Sequence, residues 1–280
     1  MNILVFGKTG QVATELQRQA DVVALGRNEA DLSDPAHCAS IIASSEADVI
    51  INAAAYTAVD QAEVNEGLAT TINAVAPTEM AKVAATRGLP FLHISTDYVF
   101  DGLGSTARAP EERTAPINAY GRSKLAGEQG VVAAGGTYAI LRTSWVFSAH
   151  NANFVKTMLR LGKERSAISV VDDQVGGPTP AADIAATLLK MAEQLHPDNS
   201  CTYHYAGTPD VSWKDFATEI FMQAGLPVEV SGIPTSSYPT PAERPLNSRL
   251  DCTEMQNMFG VPQPDWRTGL TKVLQDLGEI

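Results

Sequence analysis

Short apolar runs alternate with segments of helical composition along the first half of the chain. The runs are rich in Val, Ile, Leu, Phe and Tyr, as is typical of buried strands. They cover residues 3–6, 22–25, 49–52, 91–95 and 138–142, and helix-compatible segments cover 12–20, 35–45, 73–87 and 119–133. The alternation indicates βαβ units. It therefore predicts an α/β protein with a Rossmann-type, doubly wound parallel sheet.

The pattern changes beyond about residue 147. Proline-rich stretches occur near 176–180 and 234–245, and helices are predicted at 181–194, 213–224 and 268–277. We interpret this part as a smaller substrate-binding lobe that is interwoven with the first domain. The expected dinucleotide-binding domain covers 1–147 plus about 168–198, and the expected sugar-nucleotide-binding lobe covers about 148–167 and 199–280.

Composition and charge narrow the class of protein. The chain of 280 residues is 44% hydrophobic and 19% charged, which is typical of a compact globular protein. Its net charge of −12 repels nucleic acids and anionic lipids, so neither is expected as a partner. The N-terminus lacks the pattern of a signal peptide and no apolar run reaches membrane length, so we expect a cytoplasmic protein. A monomer and a homodimer are both compatible with these features.

Cysteine and histidine give no sign of a metal centre. The three cysteines are far apart in sequence, and the five histidines show neither metal-binding nor catalytic-triad spacing. His93 falls in an apolar strand pattern, where a hydrogen-bonded core histidine is expected.

A glycine-rich turn follows the first predicted strand. It has the pattern G-x-x-G-x-x-A and opens a helix, so its backbone N–H groups and the helix dipole can hold a pyrophosphate. The spacing of its glycines is that of short-chain dehydrogenases. The predicted cofactor contacts in this turn are Gly7, Thr9, Gly10, Gln11 and Val12.

The end of the second strand bears on which nicotinamide nucleotide binds. An acid here would select NAD, but the chain has Arg27, which can pair with a 2′-phosphate. NADPH is therefore the expected cofactor, with NADH possible, and the alternative is that Arg27 is a solvated surface residue. The other predicted cofactor contacts are Asp31, Leu32, Ala53, Ala54 and Ala55.

A phenol and an ammonium group stand four residues apart in the predicted helix at 119–133. Tyr120 and Lys124 therefore share one helix face, and Thr96 ends a strand at the carboxyl edge of the sheet. Hydride transfer to a ketone requires an acid that protonates the developing alkoxide. We predict that Tyr120 is that acid, that Lys124 lowers its pKa and anchors the ribose, and that Thr96 donates to the carbonyl oxygen. Both Tyr120 and Lys124 are thereby also cofactor contacts.

Seven motifs resemble the dTDP-4-dehydrorhamnose reductase family of extended short-chain dehydrogenases. They are GKTGQV at 7–12, AYTAVD at 55–60, STDYVFDG at 95–102, YGRSKLAGE at 120–128, LRTSWVF at 141–147, DQVGGPT at 173–179 and RP at 244–245. The resemblance implies NAD(P)H-dependent reduction of dTDP-4-dehydro-β-L-rhamnose at C4 to dTDP-L-rhamnose, the last step of its biosynthesis. It implies a sugar-nucleotide site that, besides Thr96 and Tyr120, includes Thr57, Val59, Asp97, Tyr98, Trp145 and Arg244.

The resemblance also raises the question of Mg²⁺, because some similar reductases form dimers around a Mg²⁺ held by glutamates. Glu15 matches one such position, whereas the other two fall on Asp198 and Asp276. The shorter acids displace the oxygens from metal-binding geometry. The expectation is therefore solvated acids, and the alternative is a Mg²⁺ ion bound by Glu15, Asp198 and Asp276 at a dimer interface.

Three other functions remain open. Related 4,6-dehydratases carry a glutamate where Tyr98 stands after Thr96 and Asp97, so dehydration is disfavoured, while epimerases are harder to exclude by chemistry. The substrate could be another 4-keto deoxy nucleotide sugar. The fold also resembles the non-catalytic, NADP-binding β subunit of methionine adenosyltransferase, although retention of Thr96, Tyr120 and Lys124 argues for an enzyme.

Overall fold

The computed structural model describes residues 1–280, and in it thirteen strands alternate with eleven α-helices. The strands are β1 Ile3–Phe6, β2 Val22–Leu25, β3 Val49–Asn52, β4 Phe91–Thr96, β5 Tyr138–Thr143, β6 Val146–Phe147, β7 Ala167–Val171, β8 Val175–Gly176, β9 Thr179–Pro180, β10 Cys201–His204, β11 Val211–Ser212, β12 Glu229–Ile233 and β13 Asn247–Ser248. The α-helices are α1 Gln11–Gln19, α2 Pro35–Ser44, α3 Val59–Ala62, α4 Glu66–Thr70, α5 Ala76–Thr86, α6 Ala119–Ala134, α7 Phe154–Glu164, α8 Ala181–Gln194, α9 Trp213–Gln223, α10 Thr253–Phe259 and α11 Trp266–Asp276.

The central sheet has six parallel strands in the order β2-β1-β3-β4-β5-β10. The chain runs outward from β1 to β2 and then crosses back to β3, so the strand order reverses between β1 and β3. Ligands of open α/β sheets bind at the carboxyl ends of the strands at such a reversal. The sheet confirms the Rossmann-type fold that the alternating pattern predicts, and the five predicted strands agree with β1 to β5 within one residue.

Two hydrophobic cores cover the two faces of this sheet. Alternate residues of β1 separate between them, because Ile3 and Val5 pack with α1 and α8, whereas Leu4 and Phe6 pack with α2 and α5. Cys38 belongs to the second core, where burial raises the pKa of its thiol to about 11. Helices on both faces explain why β1 and β2 are apolar throughout.

A third core defines the smaller lobe. It joins α7, α9 and α11 around aromatic residues that include Phe147, Phe216 and the fully buried Trp266. The pair β7 and β12 covers this core on one side, since Ile168 and Val170 pack into it. No helix of the molecule is both long enough and apolar enough to cross a membrane.

Strand pairing departs at two places from the division expected between the two parts. Residues 168–171, expected with the dinucleotide-binding domain, pair with β12 in the lobe. Residues 201–204, expected in the lobe, form β10 and extend the central sheet beside β5. Both pairings join segments about sixty residues apart in sequence, as the register partners Ala167 and Glu229 and the partners Ala139 and Cys201 show, so local patterns could not reveal them.

Helix α5 is preceded by a π-helical turn, Thr71–Val75, where the sequence predicts one continuous helix from residue 73. Asn73 lies in this turn, and its side chain bonds the backbone N–H and carbonyl of Tyr56 at 2.8 and 3.0 Å. The same amide donates to the hydroxyl of Ser123 on α6 at 2.9 Å. The turn therefore ties the loop after β3 to the helix that carries Tyr120.

Candidate active site

The glycine turn connects β1 to α1 and lies against Ala53, the residue that follows β3. Gly7 has a φ of 109°, which favours glycine, and a Cβ at this position would lie 3.2 Å from the carbonyl carbon of Ala53. The first N–H groups of any α-helix have no intrahelical partner, and Gly10, which precedes α1, provides no side-chain cap for them. Such a helix N-terminus can bind a diphosphate.

A cavity of about 260 Å³ lies in front of this turn. Its lining contains most of the predicted cofactor contacts, namely Gly7, Thr9, Gly10, Arg27, Asp31, Leu32, Ala53, Ala54 and Ala55. Gln11 and Val12 line a second cavity that begins on the other side of the same three alanines. The three alanines that follow β3 thus line both cavities.

The first cavity also contains a cation that the sequence pattern did not single out. Lys8 lines it together with Arg27, and Lys8 Nζ lies 3.4 Å from the carboxylate of Glu29. Glu29 folds back to accept the N–H of Gly26 at 2.7 Å, and this hydrogen bond and Lys8 hold its pKa below the usual range. The carboxylate of Glu29 therefore lies near the end of β2, where the sequence pattern indicated no acid, but it is paired with Lys8.

The second cavity has a volume of about 550 Å³ and lies at the carboxyl ends of β3, β4 and β5. It brings together all three predicted catalytic residues, Thr96, Tyr120 and Lys124. The predicted sugar-nucleotide residues on its walls are Thr57, Val59, Asp97, Tyr98 and Trp145. These residues come from four separate segments of the sequence and meet in one pocket.

Helix α6 carries Tyr120 and Lys124 into this cavity. The side chain of Asn118 caps the helix by accepting the N–H of Gly121 at 2.8 Å. A side chain on Gly121 would collide with the carbonyl oxygen of Tyr98, so glycine permits the close approach of α6 to β4. The rings of Tyr98 and Tyr120 then pack edge to face with centroids 5.5 Å apart.

The surroundings of Tyr120 differ from the expectation of a lowered pKa. Burial raises the pKa of the phenol above its ordinary value, a hydrogen bond with Thr96 opposes the rise, and the charge of Asp97 adds to it. Lys124 does not offset the rise, because its Nζ donates to the carbonyl oxygen of Ile94 at 2.8 Å and lies beside His93. In this state the phenol therefore holds its proton.

Lys124 is itself buried, with 2% of its surface exposed. Burial lowers the pKa of its ammonium group to about 8, and the carboxylate of Glu128 opposes that shift. Thr96 accepts the N–H of Tyr98 at 3.2 Å and donates to Asp97 at 3.0 Å. The three predicted catalytic groups are therefore close together but individually hydrogen-bonded within the protein.

Three buried polar atoms on the cavity wall lack any hydrogen-bond partner. They belong to Ser95, Asp97 and Thr143, which end the neighbouring strands β4 and β5. Burial raises the pKa of Asp97 to about 6, a shift that the hydroxyl groups of Ser248 and Thr96 oppose. Unpaired buried polar groups are costly, so these atoms are suited to bind the hydroxyl groups of a ligand.

Two tryptophans stack on the lobe side of the cavity. The rings of Trp145 and Trp213 are nearly parallel, with an interplanar angle of 9° and centroids 3.6 Å apart. Trp145 has a φ of 48°, a left-handed conformation that is rare for a bulky side chain. No sequence motif selects Trp213, because it joins the site only through the packing of α9 in the lobe.

Arg244 is the predicted substrate residue that the structure places outside the cavity lining. Its guanidinium donates to Asp60 at 2.9 Å. Burial raises the pKa of the cavity residue Tyr98, and the charge of Arg244 opposes part of that rise. Arg244 therefore stands behind Tyr98 instead of contacting the cavity itself. Further wall residues that motif reasoning did not select are Ile94, Ser144, Val146, Asn151 and Ala152.

The acids considered for Mg²⁺ do not form one site. Glu15 accepts from His150 at 2.8 Å and from Arg18 at 3.3 Å, and Arg18 also pairs with Asp276 at 2.8 Å. A guanidinium thus already joins two of the three acids. Asp198 lies apart from them beside His196, and no cluster of three or more metal-binding side chains exists. These residues do not fit a Mg²⁺ ion.

The strand order, the uncapped glycine turn and the adjoining pocket define a nicotinamide-nucleotide-dependent oxidoreductase of the extended short-chain dehydrogenase type. Comparison with known proteins makes this more specific. The family profile described as "RmlD substrate binding domain" matches residues 1–279. The chain is 41% identical to a dTDP-4-dehydrorhamnose reductase of Escherichia coli, over 99% of this chain and 98% of that protein.

Solved structures agree with the sequence relatives. A dTDP-4-dehydrorhamnose reductase from Clostridium acetobutylicum superposes with a TM-score of 0.94 at 36% identity, covering 99% of this chain and 100% of the other. A Bacillus anthracis dTDP-4-dehydrorhamnose reductase in complex with NADP gives 0.92 at 36% identity and the same coverage. The chain belongs to the dTDP-4-dehydrorhamnose reductase family, which confirms the resemblance carried by the seven motifs.

Proposed function

We propose that the protein reduces the C4 keto group of dTDP-4-dehydro-β-L-rhamnose to give dTDP-L-rhamnose, with NADPH as the preferred reductant and NADH tolerated. The observation that carries the proposal is the meeting of Thr96, Tyr120 and Lys124 in one pocket, which shares Ala53, Ala54 and Ala55 with the cavity in front of the glycine turn. Family membership supports the same reaction.

The side chains have complementary tasks in this reaction. Bound NADPH supplies the hydride. Tyr120 donates its phenolic proton to the oxygen at C4, and its raised pKa keeps that proton in place before hydride transfer. Thr96 turns its hydroxyl from Asp97 to the same oxygen, and Lys124 holds the nicotinamide ribose with the N–H bonds that Ile94 leaves free.

The decisive experiment replaces Tyr120 with phenylalanine. Tyr120→Phe removes the proton donor and keeps the ring that packs on Tyr98, so kcat should fall by about 10² to 10⁴ while the Kd for NADPH stays unchanged. Thr96→Val should cost less, because Tyr120 remains. NADPH oxidation in the presence of the keto-sugar nucleotide measures both.

Tyr203→Phe is the control, because Tyr203 is a buried tyrosine whose hydroxyl bonds the carbonyl oxygen of Asn199 away from the pocket. This variant should turn over at the wild-type rate. A Tyr120→Phe enzyme with near wild-type kcat would contradict the proposed function.

Preference for NADPH rests on the two cations of the first cavity. Arg27 and Lys8 both line it, and Glu29 neutralises only Lys8, so Arg27 is the cation available to a 2′-phosphate. Arg27→Ala should reduce kcat/KM with NADPH and leave the value with NADH nearly unchanged. Arg165→Ala, at an exposed arginine after α7, is the control. If the ratio of kcat/KM with NADPH to kcat/KM with NADH is the same in wild type and Arg27→Ala, Arg27 does not determine the preference for NADPH.

In this proposal the dinucleotide and the sugar nucleotide occupy different parts of the molecule. The dinucleotide lies on the part that carries the central sheet, and the sugar nucleotide lies between it and the lobe that provides Trp213. Arg244 supports the substrate side through Tyr98 and Asp60, and a raised KM for the sugar nucleotide in Arg244→Glu, with NADPH affinity intact, would support this placement. No step passes through Mg²⁺, because Arg18 joins Glu15 to Asp276.

A further inference from the structure

Residues 148–153 connect β6 to α7 without forming a helix or a strand. Asn151 and Ala152 in this segment line the second cavity together with Gln11 and Trp213. The reaction described so far uses none of residues 148–153. We refer to them as the bridging segment, because they bond the glycine turn on one side and lead into helix α7 of the lobe on the other.

The side chain of Gln11, the first residue of α1, bonds this part of the chain. Its Oε1 accepts the hydroxyl of Ser148 at 2.7 Å and the Nδ2 of Asn153 at 3.0 Å, and its Nε2 donates to the carbonyl oxygen of Val146 at 3.4 Å. Both lone pairs of the amide oxygen are therefore in use. The backbone N–H of the same residue belongs to the first turn of α1, where a diphosphate can bind. A ligand held by that turn thus fixes the residue to which the bridging segment is bonded.

Two further contacts join the bridging segment to the glycine turn and to α1. The Nδ2 of Asn151 donates to the carbonyl oxygen of Thr9, and Asn151 has a φ of 54°, a left-handed conformation that asparagine tolerates. Since Thr9 lines the first cavity and Asn151 lines the second, this hydrogen bond joins the walls of both. His150 Nε2 also lies 2.8 Å from the carboxylate of Glu15. The position of the segment therefore depends on the glycine turn and on α1 at several points.

The other end of the bridging segment supports the aromatic wall of the second cavity. Asn153 caps α7, because its Oδ1 accepts the N–H of Lys156 at 3.2 Å, and its Nδ2 also bonds two carbonyl oxygens of the segment at 2.7 and 3.1 Å. Phe154, the first residue of α7, packs on Trp213 with ring centroids 4.5 Å apart. Trp213 in turn stacks on Trp145. The residue that bonds the start of α1 thus also fixes the start of the helix that packs on the wall.

We propose, on the basis of the proposed reduction, that the bridging segment couples the two ligand sites and that Gln11 and Asn153 are positioning residues in this coupling. Bound NADPH holds the first turn of α1, orders the segment through Gln11, and thereby fixes the wall of Trp145 and Trp213 for the sugar nucleotide. The segment lies outside every helix and strand, so ordering it costs conformational entropy. A first ligand that orders the segment leaves less entropy to be lost when the second binds, and each ligand therefore strengthens binding of the other.

The coupling is measured with two ligands that cannot react with each other. NADPH and dTDP-L-rhamnose are both reduced, so the complex with both is stable. Isothermal titration calorimetry should give a Kd for dTDP-L-rhamnose that is lower by a factor of about five or more in saturating NADPH than in its absence. The Kd for NADPH should fall by the same factor in saturating dTDP-L-rhamnose, because coupling is reciprocal. Equal Kd values with and without the other ligand would overturn the inference.

Two substitutions release the bridging segment from Gln11 without changing the lining of either ligand cavity. Ser148→Ala removes one donor to Gln11, and Asn153→Ser withdraws the other, while serine still caps α7. Because NADPH then no longer orders the segment through Gln11, the coupling factor should fall to about two or less in the double variant. The same calorimetric titrations measure it.

Gln17→Met is the matched control. The Gln17 amide donates to the carbonyl oxygen of Lys8 at 2.7 Å, so it also binds the glycine turn, but its hydrogen bonds do not reach the bridging segment. This variant should keep the wild-type coupling factor. A purely structural role of Ser148 and Asn153 would weaken binding of both ligands with the coupling factor unchanged, and that result would overturn the inference.

Hydrogen exchange separates this inference from the proposed function, because it needs no sugar nucleotide. Backbone amides of residues 148–157 in wild type should exchange more slowly by a factor of about five or more once NADPH is bound, whereas those of α10 should not change. Unchanged exchange at 148–157 would contradict the inference alone. Absence of keto-sugar-dependent NADPH oxidation in wild type would contradict the proposed function alone.

Discussion

Two buried polar clusters lie side by side at the carboxyl ends of β4 and β5, and they differ in how completely they are hydrogen-bonded. In the first, Arg142 binds Glu128 through two bonds, donates to the carbonyl oxygen of Pro110 at 3.0 Å and contacts His204 at 3.3 Å. His204 in turn bonds the carbonyl oxygen of Arg108, and burial followed by the charge of Arg142 lowers its pKa to about 3. We refer to this set as the paired cluster.

The second cluster consists of Ser95, Asp97 and Thr143, each with a buried atom that has no partner. We refer to it as the open cluster. Thr143 directly follows Arg142 on β5, and successive side chains of a strand point to opposite faces, so one strand serves both clusters. A buried polar group that makes all of its hydrogen bonds within the protein stabilises the fold. A buried polar group at a pocket wall that lacks a hydrogen-bond partner is available to a ligand.

Removal of the cation from the paired cluster should give the largest effect on stability. Arg142→Met leaves the Glu128 carboxylate buried without its partner, which should lower the free energy of unfolding by about 3–5 kcal/mol. The double variant Arg142→Met with Glu128→Leu should recover most of the loss, because no charge is left unpaired. Urea denaturation measures both. If Arg142→Met alone lowers the free energy of unfolding by less than about 1 kcal/mol, the pair of Arg142 and Glu128 contributes no more than an ordinary surface ion pair.

In the open cluster, Asp97 should make stability fall as pH rises. Its folded-state pKa of about 6 lies above the ordinary value of 3.8, so the folded protein binds this proton more tightly than the unfolded chain. The resulting stabilisation is fully present below about pH 4 and is lost as pH rises through 6, a change of about 3 kcal/mol. Asp97→Asn should therefore be more stable than wild type at pH 8, and the advantage should vanish near pH 4.

Unfolding of wild type and Asp97→Asn at both pH values checks this expectation. Asp21→Asn, at an exposed aspartate before β2, is the control and should show no such pH-dependent difference. If the difference between Asp97→Asn and wild type is the same at both pH values, the assignment of the raised pKa to Asp97 is wrong.

The smallest expected effect contrasts two buried threonines. Thr143→Val replaces an unpaired hydroxyl by a methyl group and should stabilise the protein by about 1 kcal/mol. Thr179 is also fully buried, but its hydroxyl donates to Gly177 and accepts from the N–H of Gly207, so Thr179→Val should cost about 1–3 kcal/mol. Thermal unfolding measures both variants, and changes of the same sign would contradict the contrast between a bonded and an unbonded buried hydroxyl.

Local sequence patterns were sufficient for the elements that carry the site. The five apolar runs correspond to β1–β5, and the predicted helix at 181–194 coincides with α8, because strands buried on both faces and amphipathic helices repeat with short periods. The glycine turn and the Tyr120/Lys124 spacing were readable for the same reason, since each lies within one turn or one helix. The resemblance to a family then extended the prediction to Asp97, Tyr98 and Trp145.

Contacts between residues far apart in the sequence are visible only in the tertiary structure. Trp213 reaches Trp145 across 68 positions, Glu29 folds back onto Gly26 beside Lys8, and His93 joins Asn52 to Lys124 across three elements. The raised pKa of Tyr120 likewise follows from burial that no local pattern records. Periodicity in a sequence reports which face of an element is apolar, whereas hydrogen bonds and desolvation depend on the atoms that other elements bring to that face.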